Sequence, residues 1–152
     1  MSAREASLAE TGFNGRDPQV TLMAIGAERR ALRIQQGQWH SGSSMTIDSL
    51  YEQEAAGIRE ILSVATEADD CGSGEPCFKW EGTQAASSTP ASGAARVDLE
   101  LRLKGTYRNG AGRIVKLPAQ PIVLRFVDGA YTPVGRTVAV QALWKILQSP
   151  WQ

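Results

Sequence analysis

The sequence has few of the residues that carry the commonest metal and catalytic chemistries. It contains one histidine and two cysteines in 152 residues. Structural zinc takes four Cys or His ligands, so we expect no metal site. The chain also lacks a Gly-x-Ser-x-Gly elbow and a glycine-rich phosphate loop, which are the usual signatures of serine hydrolases and nucleotide-binding enzymes. We therefore predict no metal and no cofactor.

Net charge and long apolar runs are lacking as well. Sixteen Lys and Arg residues balance sixteen Asp and Glu residues, and without a basic cluster we predict no nucleic-acid partner. No apolar run approaches the roughly 18–20 residues that span a bilayer, so we predict no membrane partner. The first residues, 1–5, lack the apolar core of a signal peptide. These features predict a cytoplasmic protein.

The two cysteines leave the compartment open. Cys71 and Cys77 flank a flexible loop, Gly-Ser-Gly-Glu-Pro. That spacing can close a small disulfide ring, which would indicate a periplasmic or secreted protein because disulfides persist in oxidising compartments. In the absence of a signal peptide, the sequence favours two free thiols, with the disulfide as the alternative.

The clearest pattern in the chain is a strict alternation of aliphatic and charged residues over 97–104. Successive side chains of a strand point to opposite faces, so this pattern predicts a strand with one face toward a core. Asn109-Gly110 and Asp128-Gly129 are turn signals on either side of a second apolar run, 122–127. An antiparallel sheet follows from these features.

Helices are predicted in three places. Asp17-Pro18 can open a helix, to be followed by a strand over 31–39. Apolar residues at three- and four-residue spacing predict a long helix over 47–65. Residues 137–147 predict either a terminal helix or a strand to Val140 followed by a short helix. With residues 1–16 as a flexible arm, we expect 17–152 to form a single α+β domain.

The second half of the chain resembles a known superfamily. The segments 97–107 (VDLELRLKGTY), 112–118 (GRIVKLP) and 122–129 (IVLRFVDG) resemble the nuclear transport factor 2-like superfamily, and within it the SnoaL-like polyketide cyclases. The closing segment 143–148 is similar to the short leucine-rich helix that ends many members. The resemblance implies a curved antiparallel sheet packed on helices, forming a cone with an apolar pocket. Helix 47–65 would then pack into the concave face.

One departure from the family pattern bears on catalysis. Members with cyclase, isomerase or epoxide-hydrolase activity usually carry an Asp or a His on the last strand. Here the corresponding residues, 137–141, read Thr-Val-Ala-Val-Gln and contain no ionisable side chain. The catalytic groups of the family therefore do not carry over to this chain.

The remaining candidate site residues come from side-chain chemistry. His40 titrates near neutral pH and Glu54 lies at the margin of the predicted helix, so both are candidate acid–base groups. Aromatic side chains could contact a ligand, although packing in the core is the alternative for each. These candidates are Trp39, Tyr51, Trp80, Tyr107 and Tyr131. Together they predict a protein that binds a small apolar ligand, with cyclase or isomerase chemistry as one form of that function.

A second hypothesis is a non-catalytic module that associates with itself. The charged face of the first strand alternates acidic and basic residues, which suits antiparallel pairing with an identical surface. Its members are Asp98, Glu100, Arg102 and Lys104. On either hypothesis we predict a homodimer.

Overall fold

The structure is a computed structural model that describes residues 17–87 and 95–150. The strands are β1 (Gln19–Ala24), β2 (Arg30–His40), β3 (Ser43–Glu54), β4 (Gly57–Asp69), β5 (Lys79–Ala86), β6 (Leu99–Arg108), β7 (Ile114–Lys116), β8 (Ile122–Val127) and β9 (Ala130–Pro133), and the helix is α1 (Val138–Gln148). A short 3-10 turn, Cys71–Ser73, lies between β4 and β5. The described chain is therefore built mostly of strands.

The strands form one antiparallel sheet in the order β1-β2-β3-β4-β5-β6-β8-β9, and β7 pairs separately with β6. Most neighbours in this sheet are joined by short turns. Between β8 and β9, Asp128 and Gly129 both have positive φ, 51° and 89°, as a two-residue hairpin turn of the primed type requires. The hairpin predicted at Asp128-Gly129 is confirmed.

The predicted helix over 47–65 is wrong, because this segment forms most of β3 and β4. The two strands meet at a tight turn, where Glu54 pairs with Gly57. Gly57 has φ 134°, a backbone conformation that other residues rarely adopt. The apolar stripe at helical spacing is thus produced by two antiparallel strands.

Two features of β3 and β4 hide their strand period in the sequence. The pairing shifts register at Thr46/Ile47 and again at Leu50/Tyr51, and each such bulge interrupts the alternation of side chains. In addition, β4 buries consecutive residues on both faces from Ile61 to Ala68, apart from Ser63 and Glu67. Neither a bulged strand nor one buried on both faces shows a clean period of two.

Near the start of the chain one of two predicted elements is wrong, whereas the helix predicted near the end is confirmed. The helix expected after Asp17-Pro18 is wrong, since β1 begins at Gln19, whereas the strand predicted over 31–39 is confirmed by β2. The terminal helix is confirmed: α1 begins after Thr137, whose hydroxyl accepts a hydrogen bond from the backbone N–H of Val140. The predicted arm, 1–16, lies outside the described residues.

These strands overturn the predicted fold class. An α+β cone needs helices packed into the concave face of the sheet, and the element expected there, 47–65, is itself part of the sheet. In the described residues, α1 is the one α-helix. No helix in residues 17–87 and 95–150 is long and apolar enough to cross a membrane.

The sheet folds over on itself between β4 and β5. These two strands pair at only two positions, Ala68 with Trp80 and Asp69 with Lys79. Strands β4 and β9 are far apart in the strand order, yet they contact each other, and α1 packs against both. The second half of the sheet therefore lies across the first, and the core fills the space between them.

The core is a single cluster of buried apolar side chains. Leu50 and Val64 come from β3 and β4, Leu99 and Leu124 from β6 and β8, and all four are fully buried. The helix adds Leu143, Trp144 and Leu147 to the same cluster. On β6 the buried residues are the odd-numbered ones, as the alternation over 97–104 predicts.

A buried carboxylate joins the two halves of the sheet. Glu52 on β3 is 3% exposed, and it accepts hydrogen bonds from Arg29 at 2.6 Å and from Arg96 at 2.8 and 3.0 Å. The Arg96 guanidinium also lies 3.8 Å from the ring centroid of Phe126 on β8, a cation–π contact. Nearby, the Tyr131 hydroxyl donates to the carbonyl of Val97 at 3.0 Å. We call Arg29, Glu52 and Arg96 the charge clamp.

The charge clamp sets the pKa of its carboxylate. Burial alone would raise the pKa of Glu52, but hydrogen bonds and charge from Arg96 and Arg29 outweigh it, so the pKa lies below the ordinary glutamate value. A lowered pKa in the folded state means that the clamp stabilises the fold above the ordinary glutamate pKa. This stabilisation is lost as pH falls through the lowered value.

We predict that E52Q lowers the free energy of unfolding by about 3 kcal/mol at neutral pH, because it leaves Arg96 partly buried without its counter-charge. The measurement is urea unfolding followed by circular dichroism. The matched control is E100Q, which breaks the exposed ion pair with Arg102 and should cost less than about 1 kcal/mol. The difference between E52Q and the wild type should shrink as pH falls below the ordinary glutamate pKa. Equal losses in the two variants would contradict the prediction.

Candidate functional site

Two rows of side chains cross one face of the sheet at the end where β4 meets β5. In the first row, Trp39 pairs with Ser44, Ser44 with Asp69, and Asp69 with Lys79. Directly paired residues of antiparallel strands share a face, so these four side chains stand side by side.

The second row lies two residues along each strand, and therefore on the same face. It places Gly37 opposite Thr46 and Thr46 opposite Glu67. Glu81 completes it on β5, two residues after Lys79. Small side chains thus occupy the β3 position of both rows and the β2 position of the second row, whereas larger polar side chains stand on β4 and β5.

This arrangement forms an open cleft of about 450 Å³, within the range of pockets that bind small molecules. Gly37, Ser44 and Thr46 are among its lining residues and form its shallow floor. Trp39 stands on one side with 57% of its surface exposed. We call this recess the Trp39 cleft.

The wall opposite Trp39 carries an excess of negative charge. Three carboxylates, Glu67, Asp69 and Glu81, line the cleft together with one ammonium group, that of Lys79. Lys79 lies 2.9 Å from Asp69, and its hydrogen bond, with that of the Cys71 backbone N–H, lowers the pKa of Asp69. Glu67 accepts a hydrogen bond from the Thr46 hydroxyl at 2.9 Å. Asp69 is thus compensated by Lys79, and Glu81 has Lys104 as its direct cross-strand neighbour on β6. Among the residues that line the cleft, the carboxylates still outnumber the ammonium group by three to one.

A disulfide-closed loop supports the hairpin that carries Trp39. Cys71 and Cys77 are bonded, with an S–S distance of 2.10 Å, so the free-thiol interpretation is wrong and the disulfide alternative is confirmed. The Ser73 hydroxyl donates to the carbonyl of Ser41 at 2.9 Å. Gly72 approaches the hairpin so closely that a Cβ on it would lie 2.2 Å from the carbonyl oxygen of Gly42.

The adjacent carboxylates of Asp69 and Asp70 form hydrogen bonds and ion pairs in and around this loop. Asp69 binds Lys79 and the Cys71 amide, while Asp70 accepts from the Phe78 amide at 2.5 Å and from Arg108 at 3.4 Å. Asp70 also lies close to both sulfur atoms, but sulfurs joined in a disulfide do not act as thiolate ligands. These contacts hold the loop on β5 and β6.

The two predicted catalytic residues lie at opposite ends of β3. His40 is exposed and pairs with Ser43 at its start, whereas Glu54 ends it and forms an ion pair with Arg59 at 3.5 Å. A strand of twelve residues at about 3.3 Å per residue separates them by roughly 35 Å. They cannot act on one substrate, and neither lines the Trp39 cleft.

Of the five aromatic candidates, Trp39 and Trp80 line the cleft. Trp80 is 2% exposed, and its indole N–H donates to the Ala65 carbonyl at 3.3 Å. Burial raises the pKa of Tyr131 to about 12, so its hydroxyl remains a donor to Val97. Tyr107 packs against the core cluster.

Tyr51 lies outside the cleft, and its hydroxyl donates to Glu60 at 2.9 Å. Burial, with Glu60 acting in the same direction, raises the pKa of Tyr51. This phenol therefore remains a hydrogen-bond donor on the surface of the β3–β4 hairpin.

The charged face predicted for self-association is largely compensated within the chain. Asp98 accepts two hydrogen bonds from Arg125, at 2.8 and 3.1 Å, and Glu100 accepts one from Arg102 at 2.8 Å. Charged groups that already form ion pairs within the monomer gain little further stabilisation by pairing with a second copy.

Sequence reasoning missed most of the cleft. The omitted lining residues include Gly37, Thr46, Glu67, Lys79 and Glu81. If residues 54–57 had been taken as a hairpin turn, the pairing of β3 with β4 would have placed Thr46 near Glu67. The helical spacing of 47–65 concealed that signal.

Comparisons of the chain with models of protein families, with curated proteins and with solved structures return no match. The resemblance stated from the sequence therefore still rests on the pattern of residues 97–129 and 143–148 alone.

We predict that removing the disulfide with C71S/C77S lowers the free energy of unfolding by about 2 kcal/mol, because opening so short a loop restores that much chain entropy to the unfolded state. In amide NMR spectra, the signals of residues 41–43 should shift, since the loop supports that hairpin. S73A is the control that removes the hydrogen bonds of the Ser73 hydroxyl to Ser41 and Ser43 but keeps the disulfide, and it should shift the same signals at smaller cost in stability. Unchanged hairpin signals in C71S/C77S would contradict the supporting role.

Proposed function

We propose that this protein is a non-catalytic binding protein whose Trp39 cleft takes a small cationic ligand with an apolar or aromatic group. The observation that carries the proposal is the half-exposed indole of Trp39 facing a wall rich in carboxylates. An aromatic face attracts a cation through its quadrupole, and nearby carboxylates add a Coulombic attraction.

The shape of the cleft supports a ligand of modest size. Its small floor residues leave room between the indole and the acidic wall. Strands spaced about 4.8 Å apart, with an offset of two residues along the strand, place Trp39 on β2 and Glu81 on β5 roughly 16 Å from each other. A flat group can stack on the indole while its ammonium reaches Glu67 or Glu81.

Acid–base catalysis is not part of this proposal. The groups predicted to move protons, His40 and Glu54, are far apart and outside the cleft. Burial raises the pKa of one other carboxylate, Asp48, despite its Arg33 partner. Asp48 is fully buried and is not among the residues that line the Trp39 cleft. Binding, by contrast, needs only the residues that already line the recess.

The disulfide also supports an oxidising compartment for this protein. Structural disulfides persist in oxidising environments such as the periplasm or the extracellular space. Because the disulfide loop holds the hairpin carrying Trp39, an oxidising setting would keep the cleft in the described shape.

The test is a titration with benzyltrimethylammonium, followed by amide NMR shifts of cleft residues and by tryptophan fluorescence. We expect saturable binding with a Kd of about 1 mM, a typical value for so small a probe. W39A should weaken binding about tenfold, W39F should restore part of it, and E67Q/E81Q should also weaken it. The neutral benzyl alcohol and the anionic benzoate should bind more weakly.

I58A is the control variant, because Ile58 is an exposed apolar residue near the opposite end of β3 and β4. It should leave probe binding unchanged. Probe shifts that do not saturate, or benzoate binding as tightly as the cation, would overturn the proposed function.

A further inference from the structure

The two edges of the sheet are built differently. At one edge, β9 is four residues long and ends in Pro133, and short strands and prolines are the usual means of blocking further strand pairing. At the other edge, β1 is six residues long and contains neither a charged residue nor a proline. Within the described residues, β1 pairs only with β2.

The apolar side chains of β1 are exposed on one face. Val20 is 55% exposed and Leu22 is 69% exposed. They pair with Ile34, which is 7% exposed, and with the half-buried Leu32 on β2, so the exposed apolar surface lies mainly on the edge strand itself. A neutral edge strand with an exposed apolar face is a template for another strand.

We propose that this edge binds the same edge of a second copy of the chain, so that β1 pairs antiparallel with β1 across a two-fold axis at Thr21. In this register, residues that lie equally far before and after Thr21 on the two copies face each other. Val20 then faces Leu22 of the second copy, and Leu22 faces Val20. The two exposed apolar residues cover each other, and Thr21 faces its own copy on the opposite side of the sheet.

The choice of occupant follows from the self-complementarity of this short strand. Directly opposite residues of antiparallel strands must lie on the same face, which limits the two-fold axis to a residue position. An axis at Leu22 would instead pair Leu22 with its own copy, but it would place each Val20 opposite the small side chain of Ala24. Aliphatic pairs and Thr–Thr pairs are both favourable in antiparallel sheets, so the axis at Thr21 uses every exposed side chain in the middle of β1.

One strand pair makes a small interface, so the dimer should be weak and concentration-dependent. Sedimentation velocity over a range of protein concentrations should show reversible dimerisation with a Kd of about 10–100 µM. V20K/L22K should weaken association at least tenfold, because lysines then face lysines. V20K/L22E should restore it, since each introduced lysine faces an introduced glutamate. I58K, at an exposed apolar residue elsewhere, should leave it unchanged.

Cross-linking tests the register directly. Both native cysteines are in the disulfide, so an introduced thiol has no other thiol to pair with in its own chain. T21C should form a disulfide-linked dimer under mild oxidation, whereas T132C, an equivalent exposed change on β9, should not. A monomer at every concentration would overturn the proposal. So would failure of V20K/L22E to restore the dimer, or equal cross-linking of T21C and T132C. These outcomes are independent of probe binding in the Trp39 cleft, so the two proposals can fail separately.

Discussion

The charge clamp is the interaction on which the arrangement of the two halves depends. Hydrogen bonds within a sheet specify neighbouring strands, but they do not specify how a sheet folds across itself. Arg96, just before β6, reaches Glu52 on β3 and stacks on Phe126, so one side chain links three parts of the fold. A buried carboxylate is costly unless it is fully paired, and only the folded-over arrangement supplies both arginines. The clamp therefore favours this arrangement over other packings of the same strands.

The Trp39 cleft follows from the same folding of the sheet. Because β4 and β5 pair at only two positions, the rows that carry Trp39 and the carboxylates lie where the sheet bends. A short, disulfide-closed loop fills the space beside them and contacts the hairpin tip. The small side chains of Gly37, Ser44 and Thr46 on β2 and β3 leave space beside Trp39, so the recess is a consequence of local composition together with sheet curvature.

The two proposed surfaces are separate and chemically different. The cleft is acidic with one exposed indole, which suits a small cation. The β1 edge is neutral and aliphatic, and its backbone groups suit another strand. A dimer through β1 would extend the sheet without covering β5, because the two strands lie at different positions in the strand order. Ligand binding and self-association are thus compatible in one molecule.

The sequence by itself determined the local elements whose patterns are undisturbed: β6 from strict alternation and the β8–β9 hairpin from Asp128-Gly129. For α1 the apolar spacing predicted a helix over 137–147, with a strand to Val140 as the alternative. It also contained the spacing that allows Cys71 and Cys77 to form a disulfide, but it did not decide between the disulfide and two free thiols. Only the tertiary structure decided that 47–65 is a hairpin, because bulges and burial on both faces remove the period of two from β3 and β4. The same holds for the Trp39 cleft and the charge clamp. The residues that form them come from distant segments of the chain, and no local sequence pattern predicts which strands will lie side by side.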